Sequence, residues 1–408
     1  MGWTLIMGSP KKKIKGENSK QKIFIVTPFE NLMAARGTRL PRLAEMLVES
    51  GHEVEYVTTN FSHAYKRTFT QAEIDLCKST LPYRMTVLPI LGYRSNISVR
   101  RVLSNVVMSF HLFFYLLNAA RNGDIIVTPS RPIEIIAMSA LLKSIRRIGV
   151  VLDIRDVWPD ALEGVSFLKK LAFSFYCNLY LKPSLKRIDT FVHIAPSFVK
   201  WLRRYAPKAN SSFIPPGFDR DRWAVMKHRR LANDGGWSLV FVGSLQHQLD
   251  VLPLLNALVD RSRFKLTLIG DNGTGQRYPE VKAFIEKNGM SNVKLKGRME
   301  PAEVVEELRH HDIGVVPMIS SSMTNKMFDY IAAYLPVISL GDNDSSDFVR
   351  QYNIGWTAPF EPEGIGNLLD GLTTEDVNNK AENVLVIRDQ FDRKHLFKRF
   401  IAIIEGVE

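Results

Sequence analysis

The sequence predicts an α/β protein made of two doubly wound, parallel-sheet domains that face each other across a cleft. Three observations carry that expectation. The chain has 408 residues, more than a single hydrophobic core ordinarily organises, so two domains are expected. Short apolar runs alternate with amphipathic stretches, the pattern of strand–helix–strand units with right-handed crossovers. That alternation breaks off near residues 215–237 and then begins again.

In the first half, K-I-F-I-V-T (22–27) reads as the opening strand. P-R-L-A-E-M-L-V-E-S-G-H (41–52) has helical spacing and a stop at Gly51, and E-V-E-Y-V-T-T (53–59) is the next strand. D-I-I-V-T-P (124–129), I-E-I-I-A-M-S-A-L-L (133–142), G-V-V-L-D-I-R-D (149–156) and T-F-V-H-I-A-P-S (190–197) continue the alternation. The most apolar window, V-V-M-S-F-H-L-F-F-Y-L-L (106–117), is too short to span a bilayer. It is expected to be a buried helix rather than an interfacial one, with His111 and His193 as core residues.

The pattern restarts after F-I-P-P-G-F-D (213–219) and a polar N-D-G-G segment. S-L-V-F-V-G-S-L (238–245), F-K-L-T-L-I-G-D (264–271), V-K-L-K-G (293–297), D-I-G-V-V-P-M (312–318) and P-V-I-S-L-G (336–341) read as strands with helices between them. The expected division is a mobile basic arm at 1–21, a first domain at 22–215, a second at 216–390 and a terminal helix at 391–408.

Composition narrows the class. With 45% hydrophobic and 24% charged residues the chain is globular rather than disordered. Cys77 and Cys177 stand far apart, which fits a reducing cytoplasm and neither a disulfide framework nor a cysteine metal site. The net charge of +12 is uneven: residues 1–208 hold 31 Lys+Arg against 15 Asp+Glu, and the remainder holds 23 against 27. A basic first half suits a polyanion, either nucleic acid or an anionic membrane. No nucleic-acid-binding module is present in the pattern, so no nucleic-acid partner is expected. The N-terminus places its lysines after a very short apolar run, the reverse of a secretory signal.

Ligands of doubly wound sheets bind beyond the carboxyl ends of the strands. The residues expected there in the first half are the loop Arg36, Gly37, Thr38 and Arg39, then Arg155 and Asp156, with Asp153 structural. In the second half they are Gly243 and Ser244, Gly270 and Asp271, Arg298 and Met299, and the stretch T-N-K-M-F-D-Y (324–330). There Thr324 or Asn325 can cap a helix, and Lys326 and Asp329, at i and i+3, share the face of its first turn. By itself such a pair fits a solvated ion pair as well as a ligand site. The loop T-P-F-E-N-L-M-A-A-R-G-T-R lacks G-x-G-x-x-G, which argues against a dinucleotide oxidoreductase. No cluster has metal-ligand spacing. The D-x-D pairs Asp219/Asp221 and Asp342/Asp344 follow no strand that would suit a metal-dependent single-domain enzyme.

Taken together the segments resemble glycosyltransferases of the GT-B fold, two Rossmann-like domains, and specifically the family-4 group. The resemblance covers nearly the whole chain after residue 21. V-F-V-G-S-L (240–245) resembles the family's strand and turn opening the second domain, and I-P-P-G-F-D its interdomain segment. N-K-M-F-D-Y-I-A-A-Y-L-P-V-I is similar to the family's s-K-l-f-E-Y-l-a-a-G-k-P-V-I and is the most specific match. D-I-R-D-V-W-P-D-A-L (153–162) resembles a segment of transferases that build bacterial surface polysaccharides. A more distant similarity, around Asp156 and Lys326, is to the glucuronosyltransferase of xanthan assembly. The chain departs from the family in three places. Ser321 and Asp329 stand where two glutamates are common, Tyr334 where glycine is usual, and G-S-L-Q-H-Q-L-D lacks the usual basic pair.

The resemblance implies a metal-independent, cofactor-free hexosyltransferase using a nucleotide sugar. Its acceptor would be a saccharide or lipid-linked saccharide, and it would sit peripherally on the cytoplasmic face of the inner membrane. Asp156 would be the catalytic base, which would give inversion. Gly243, Ser244, Arg298, Met299, Asn325, Lys326 and Asp329 would bind the donor, Arg36–Arg39 the acceptor or a phosphate, and the last helix would pack back on the first domain. A non-catalytic nucleotide-sugar-binding scaffold and a sugar-nucleotide epimerase of the same fold are the alternatives. Membrane docking is expected through Lys66, Arg67, Arg94, Arg100 and Arg101.

Overall fold

The computed structural model describes residues 21–34, 39–63, 65–95, 98–162, 166–228, 236–270, 273 and 275–407. Most of the expected basic arm, and Arg36, Gly37, Thr38 and Asp271, lie outside the described residues. The first sheet contains β1 (Lys22–Val26), β2 (Glu53–Thr59), β5 (Arg84–Leu88), β6 (Ile125–Pro129), β7 (Gly149–Ile154), β8 (Thr190–His193) and β9 (Ser211–Phe213), in the order β5-β2-β1-β6-β7-β8-β9. A short antiparallel ribbon, β3 (Phe61–Ser62) with β4 (Arg67–Thr68), hangs beside it. The second sheet contains β10 (Trp237–Val242), β11 (Phe264–Ile269), β12 (Val293–Lys296), β13 (Ile313–Pro317), β14 (Val337–Leu340) and β15 (Gly355–Ala358), in the order β12-β11-β10-β13-β14-β15.

Both sheets are parallel throughout. Their central strands are buried along their length, as with β6, β7 and β13, because helices cover both faces. In each sheet the strand order reverses beside the first strand, between β1 and β6 and between β10 and β13, and that is where such folds open a crevice. The expected pair of doubly wound sheets is therefore present.

Two chain crossings tie the halves together. The Phe218 N–H donates to the Phe391 carbonyl at 3.1 Å, and the Arg393 N–H donates to the Phe218 carbonyl at 2.9 Å. Gly217 adopts φ 60°, and a Cβ there would lie 2.6 Å from Leu396 Cδ1, so the crossing requires glycine. Beyond it, the helix Arg393–Glu405 buries Leu396, Phe397, Phe400 and Ile404 in one cluster with Ile23, Ile25, Leu40 and Leu43 of the first domain.

Arg39, expected in a phosphate-binding loop, is instead part of this joint. It is 5% exposed. Its Nε and Nη2 donate to the Asp153 carboxylate at 3.0 and 3.2 Å, and its remaining contacts are the Pro215 and Ile214 carbonyls at 2.9 and 3.0 Å. Its guanidinium also lies 5.6 and 5.5 Å from the Phe397 and Phe400 rings. With every donor group engaged inside the protein, Arg39 presents nothing to a ligand.

The apolar window at 106–117 belongs to a longer helix, Val99–Ala119, which is by length and composition apolar enough to cross a membrane. It packs on the first sheet through Met108, Leu112 and Leu116, yet Val99, Leu103, Phe110 and Phe114 are each at least half exposed. The expectation of a buried helix is thus corrected to a half-buried one. His111 is exposed, its Nδ1 2.8 Å from the Pro89 carbonyl, whereas His193 is buried. A second helix of this kind, Phe167–Ser184, exposes Phe167, Leu168, Leu171, Phe175 and Leu179.

Candidate functional site

At the crevice of the second domain three elements converge on two glycines. The chain turns at Gly243 after β10 and at Gly270 after β11, and a Cβ on Gly270 would lie 3.1 Å from the Gly243 nitrogen. A Cβ on Gly243 would lie 2.1 Å from Lys326 Cε, so the lysine stem rests on the bare glycine backbone.

Lys326 comes from the helix Asn325–Ala332, which opens at Thr324, whose hydroxyl accepts from the Lys326 N–H at 3.4 Å. The helix is pinned by Tyr330. The Tyr330 ring lies where a Cβ on Gly314 of β13 would fall, 2.3 Å away. The Tyr330 hydroxyl accepts from the Val242 N–H at 3.1 Å and faces the Val240 and Val315 carbonyls at 3.3 and 3.2 Å. Tyr334, where the resembled family has glycine, is left-handed with φ 61°. The Arg388 guanidinium 4.4 Å over its ring, with Arg388 Nε donating to the Ala332 carbonyl at 3.1 Å, holds that conformation.

Lys326 makes no side-chain hydrogen bond and no ion pair among the described residues, although the site is crowded and the lysine keeps only part of its surface open. Burial pushes its pKa down, and Asp329 opposes that shift. Asp329 is pushed up by burial, with Arg222, Arg393 and Lys326 opposing. Both are held short of water and, among the described residues, neither side chain makes a hydrogen bond or close ion pair, an arrangement that favours a polar ligand.

Asp156 follows β7 in the first domain. Ser130 braces its backbone: the Ser130 hydroxyl accepts from the Arg155 and Asp156 N–H groups, each at 3.1 Å, and donates to the Asp156 carbonyl at 2.8 Å. The carboxylate is one-third exposed and lies 3.3 Å from Arg131 Nε. Arg155 is held by Glu30 and Asp153. Desolvation lowers its pKa, but those carboxylates outweigh it and leave the guanidinium firmly charged.

A void of about 730 Å³ lies in front of Asp156. Trp158, Ser197 and Lys200 line it from the first domain, and Gln248 and Ser320–Ser322 from the second. It is therefore an interdomain cleft. Ser321, standing where the resembled family has a glutamate, faces it. Lys326 and Asp329 do not line that void but follow it in the chain, on the helix beginning four residues after Ser321.

Of the other expected donor residues, Ser244 is partly exposed after Gly243, Asn325 is exposed at the helix start, and Arg298 is exposed after β12. Met299 packs against the hydrophobic core. One member of each D-x-D pair serves structure. Asp219 pairs with Arg393. Asp344 accepts from the Ser197 N–H at 3.1 Å and from its hydroxyl at 2.6 Å, which clasps the two domains. Among the described residues no trio of His, Cys, Asp or Glu is placed to hold a metal.

Two parallel-sheet domains, with an interdomain cleft and a lysine-bearing helix at the second crevice, define the GT-B class of glycosyltransferase. The model described as "Glycosyl transferase 4-like domain" matches residues 36–217, and "Glycosyl transferases group 1" matches residues 237–372. The chain belongs to these glycosyltransferases. It is 33% identical over 110 residues to an uncharacterized glycosyltransferase of Methanocaldococcus jannaschii, covering 27% of this chain and 30% of that relative. It is 21% identical over 311 residues to the probable glycosyltransferase WbjE of Pseudomonas aeruginosa, covering 68% of this chain and 73% of WbjE. Among solved structures, Anabaena HepE in complex with UDP superposes with a TM-score of 0.67 at 13% identity, covering 95% of this chain and all of HepE (100%).

Proposed function

We propose that this chain transfers a sugar from a nucleotide-sugar donor to a lipid-linked saccharide in bacterial surface-polysaccharide synthesis, working peripherally at the cytoplasmic face of the membrane. The observation that carries the reading is Lys326: a partly buried ammonium with no hydrogen bond or ion pair among the described residues, in the first turn of a helix, lying on glycines that leave the backbone open. Free N–H groups and a partial positive charge at a helix start suit a diphosphate, and Lys326 adds a full charge where the leaving nucleotide develops its own. Gly243 and Gly270 let the donor approach closely. Asp329 accepts hydrogen bonds from ribose or sugar hydroxyls.

In the cleft, Asp156 takes the proton of the acceptor hydroxyl as that oxygen attacks the anomeric carbon and the bond to the nucleotide phosphate breaks. Attack from the face opposite the leaving group gives inversion. Neutralisation rests on Lys326 and the helix, so the reaction proceeds without a required divalent metal. The likeness to a UDP-bound structure makes uridine the first base to test.

The apolar helix faces at Val99–Ala119 and Phe167–Ser184, with exposed Arg100, Lys169 and Lys170 among them, are the surface this reading places on an anionic leaflet. Each cation there contributes about 1 kcal/mol. Arg67, one of the cations expected for docking, is instead paired with Glu73.

Thermal-shift measurements with UDP-, GDP-, dTDP- and CMP-sugars test the donor reading. At about 100 times its dissociation constant the true donor adds about 2.7 kcal/mol, a readily measured rise in melting temperature. No shift with any of the four classes would remove the nucleotide-sugar reading.

A further inference from the structure

Beside the cleft, on the first domain, lies a second void of about 400 Å³ between the helices Val99–Ala119, Ile133–Ile145 and Phe167–Ser184. Its walls are largely apolar, formed by side chains such as Val102, Ile133 and Phe173, and Arg101, Arg131 and Lys169 are the cations among its lining residues. Arg131 and Trp158 line both this groove and the cleft. The two spaces therefore meet at the arginine that holds Asp156.

The cations at that junction are gathered by structure. Phe29, His63 and Tyr93 form a ring cluster with centroids 5.0 and 5.8 Å apart. Arg101 lies 5.9 Å and Arg131 6.0 Å from the Phe29 centroid, and Lys66 lies 5.1 Å from Tyr93. Nearby carboxylates are Asp156, paired with Arg131, and Glu134, which is buried and bonded by the Tyr176 hydroxyl at 2.5 Å. Around these rings Arg101, Arg131 and Lys66 thus outnumber them. Val99, which lines the groove, and Phe167 and Leu168, on the helix forming one wall, are each at least 74% exposed. Apolar patches of that kind are covered by a partner or a membrane.

We propose that this groove seats an isoprenoid diphosphate carrying the acceptor sugar, with the chain between the three helices, the diphosphate at Arg101, Arg131 and Lys169, and the sugar at Asp156. The assignment rests on reading the cleft as the transfer site. An apolar trough that meets the cleft of the candidate base at Arg131, with Arg101 on the same Phe29 ring, matches one ligand sequence: hydrocarbon, anion, sugar. A free anion would use the cations but leave the trough empty. A peptide would need polar groups for its backbone along a wall that is largely apolar.

Farnesyl diphosphate, inorganic pyrophosphate and farnesol, each titrated calorimetrically into the full chain below the farnesyl diphosphate micelle threshold, separate these contributions. Farnesyl diphosphate should bind at least about tenfold more tightly than either half alone, the equivalent of one charge-assisted hydrogen bond. Ala172→Trp and Lys169→Glu, both at exposed positions lining the groove, should each weaken it by about tenfold or more. UDP binding at the Lys326 helix serves as the control and should be unchanged in both variants.

Equal affinity for farnesyl diphosphate and pyrophosphate overturns the proposal, as does normal farnesyl diphosphate binding by folded Ala172→Trp and Lys169→Glu proteins. Failure of UDP to bind the wild-type chain, with farnesyl diphosphate still bound as described, would sink the donor reading and leave the groove assignment standing.

Discussion

Lys326 lies across Gly243, in the space that a side chain at Gly243 would occupy: a Cβ there would come within 2.1 Å of the lysine Cε and 2.8 Å of its Nζ. The glycine ending β10 and the lysine opening the Asn325–Ala332 helix are thus one unit. Gly243→Ala should move the ammonium without touching it chemically. Donor affinity is expected to fall by about 1.5–3 kcal/mol, the worth of one charge-assisted hydrogen bond. Calorimetric donor binding beside a melting curve checks this, and full affinity in a folded Gly243→Ala protein would uncouple the two residues.

Asp156→Asn should leave donor binding intact and lower kcat by about 10²–10⁴-fold, because a base acts on the acceptor. Turnover and donor affinity measured on the same protein give the answer. Near-normal kcat would leave Asp156 as a partner for Arg131 and nothing more.

Arg39→Ala should destabilise the protein by about 3–5 kcal/mol, since it strands a fully buried carboxylate. The cost should fall toward the lower end, because Arg155 Nε also reaches Asp153 at 3.2 Å. Urea unfolding measures it. A drop in phosphate-ligand affinity at unchanged stability would return Arg39 to the ligand role its sequence position suggested.

His63 makes stability depend on pH. Burial, then Lys66, Arg101 and Arg131, lowers its pKa to about 3 from an ordinary value of 6.5. Between those values the unfolded chain takes up a proton that the folded chain refuses. The contribution is therefore present above pH 6.5 and is lost as pH falls toward 3. The slope is at most about 1.4 kcal/mol per pH unit, reduced by solvent screening. The stability gap between wild type and His63→Gln should narrow from pH 7.5 to pH 5.5. The lost hydrogen bond to Tyr93 offsets both points equally, so a constant gap would contradict the account.

The strands were legible in the sequence because a parallel sheet covered on both faces leaves short continuous apolar runs. Residues 22–27, 53–59 and 149–156 fall on β1, β2 and β7. β5, β9 and β15 were missed: Arg84–Leu88, Ser211–Phe213 and Gly355–Ala358 are edge strands and only partly buried. The Asn325–Ala332 helix was legible from its cap and its helical spacing. The position of Arg39 was not, because a strand-end arginine reads alike whether it meets a phosphate or, as here, a carboxylate 114 positions away. The helix Val99–Ala119 misleads for a related reason. Hydropathy records how apolar a helix is, but which side chains the sheet covers is decided by tertiary packing. The left-handed Tyr334 depends on Arg388, more than fifty residues on, a partnership no local pattern contains.

The central claim is that Lys326 neutralises the donor diphosphate. Calorimetric titration of the donor found by thermal shift into wild-type and Lys326→Ala proteins tests it most directly. The account predicts affinity at least about tenfold weaker in Lys326→Ala, partly restored in Lys326→Arg, consistent with the loss of a charge-assisted bond worth about 1.5–3 kcal/mol. Equal donor affinity in wild-type and folded Lys326→Ala proteins would contradict it and place the diphosphate elsewhere.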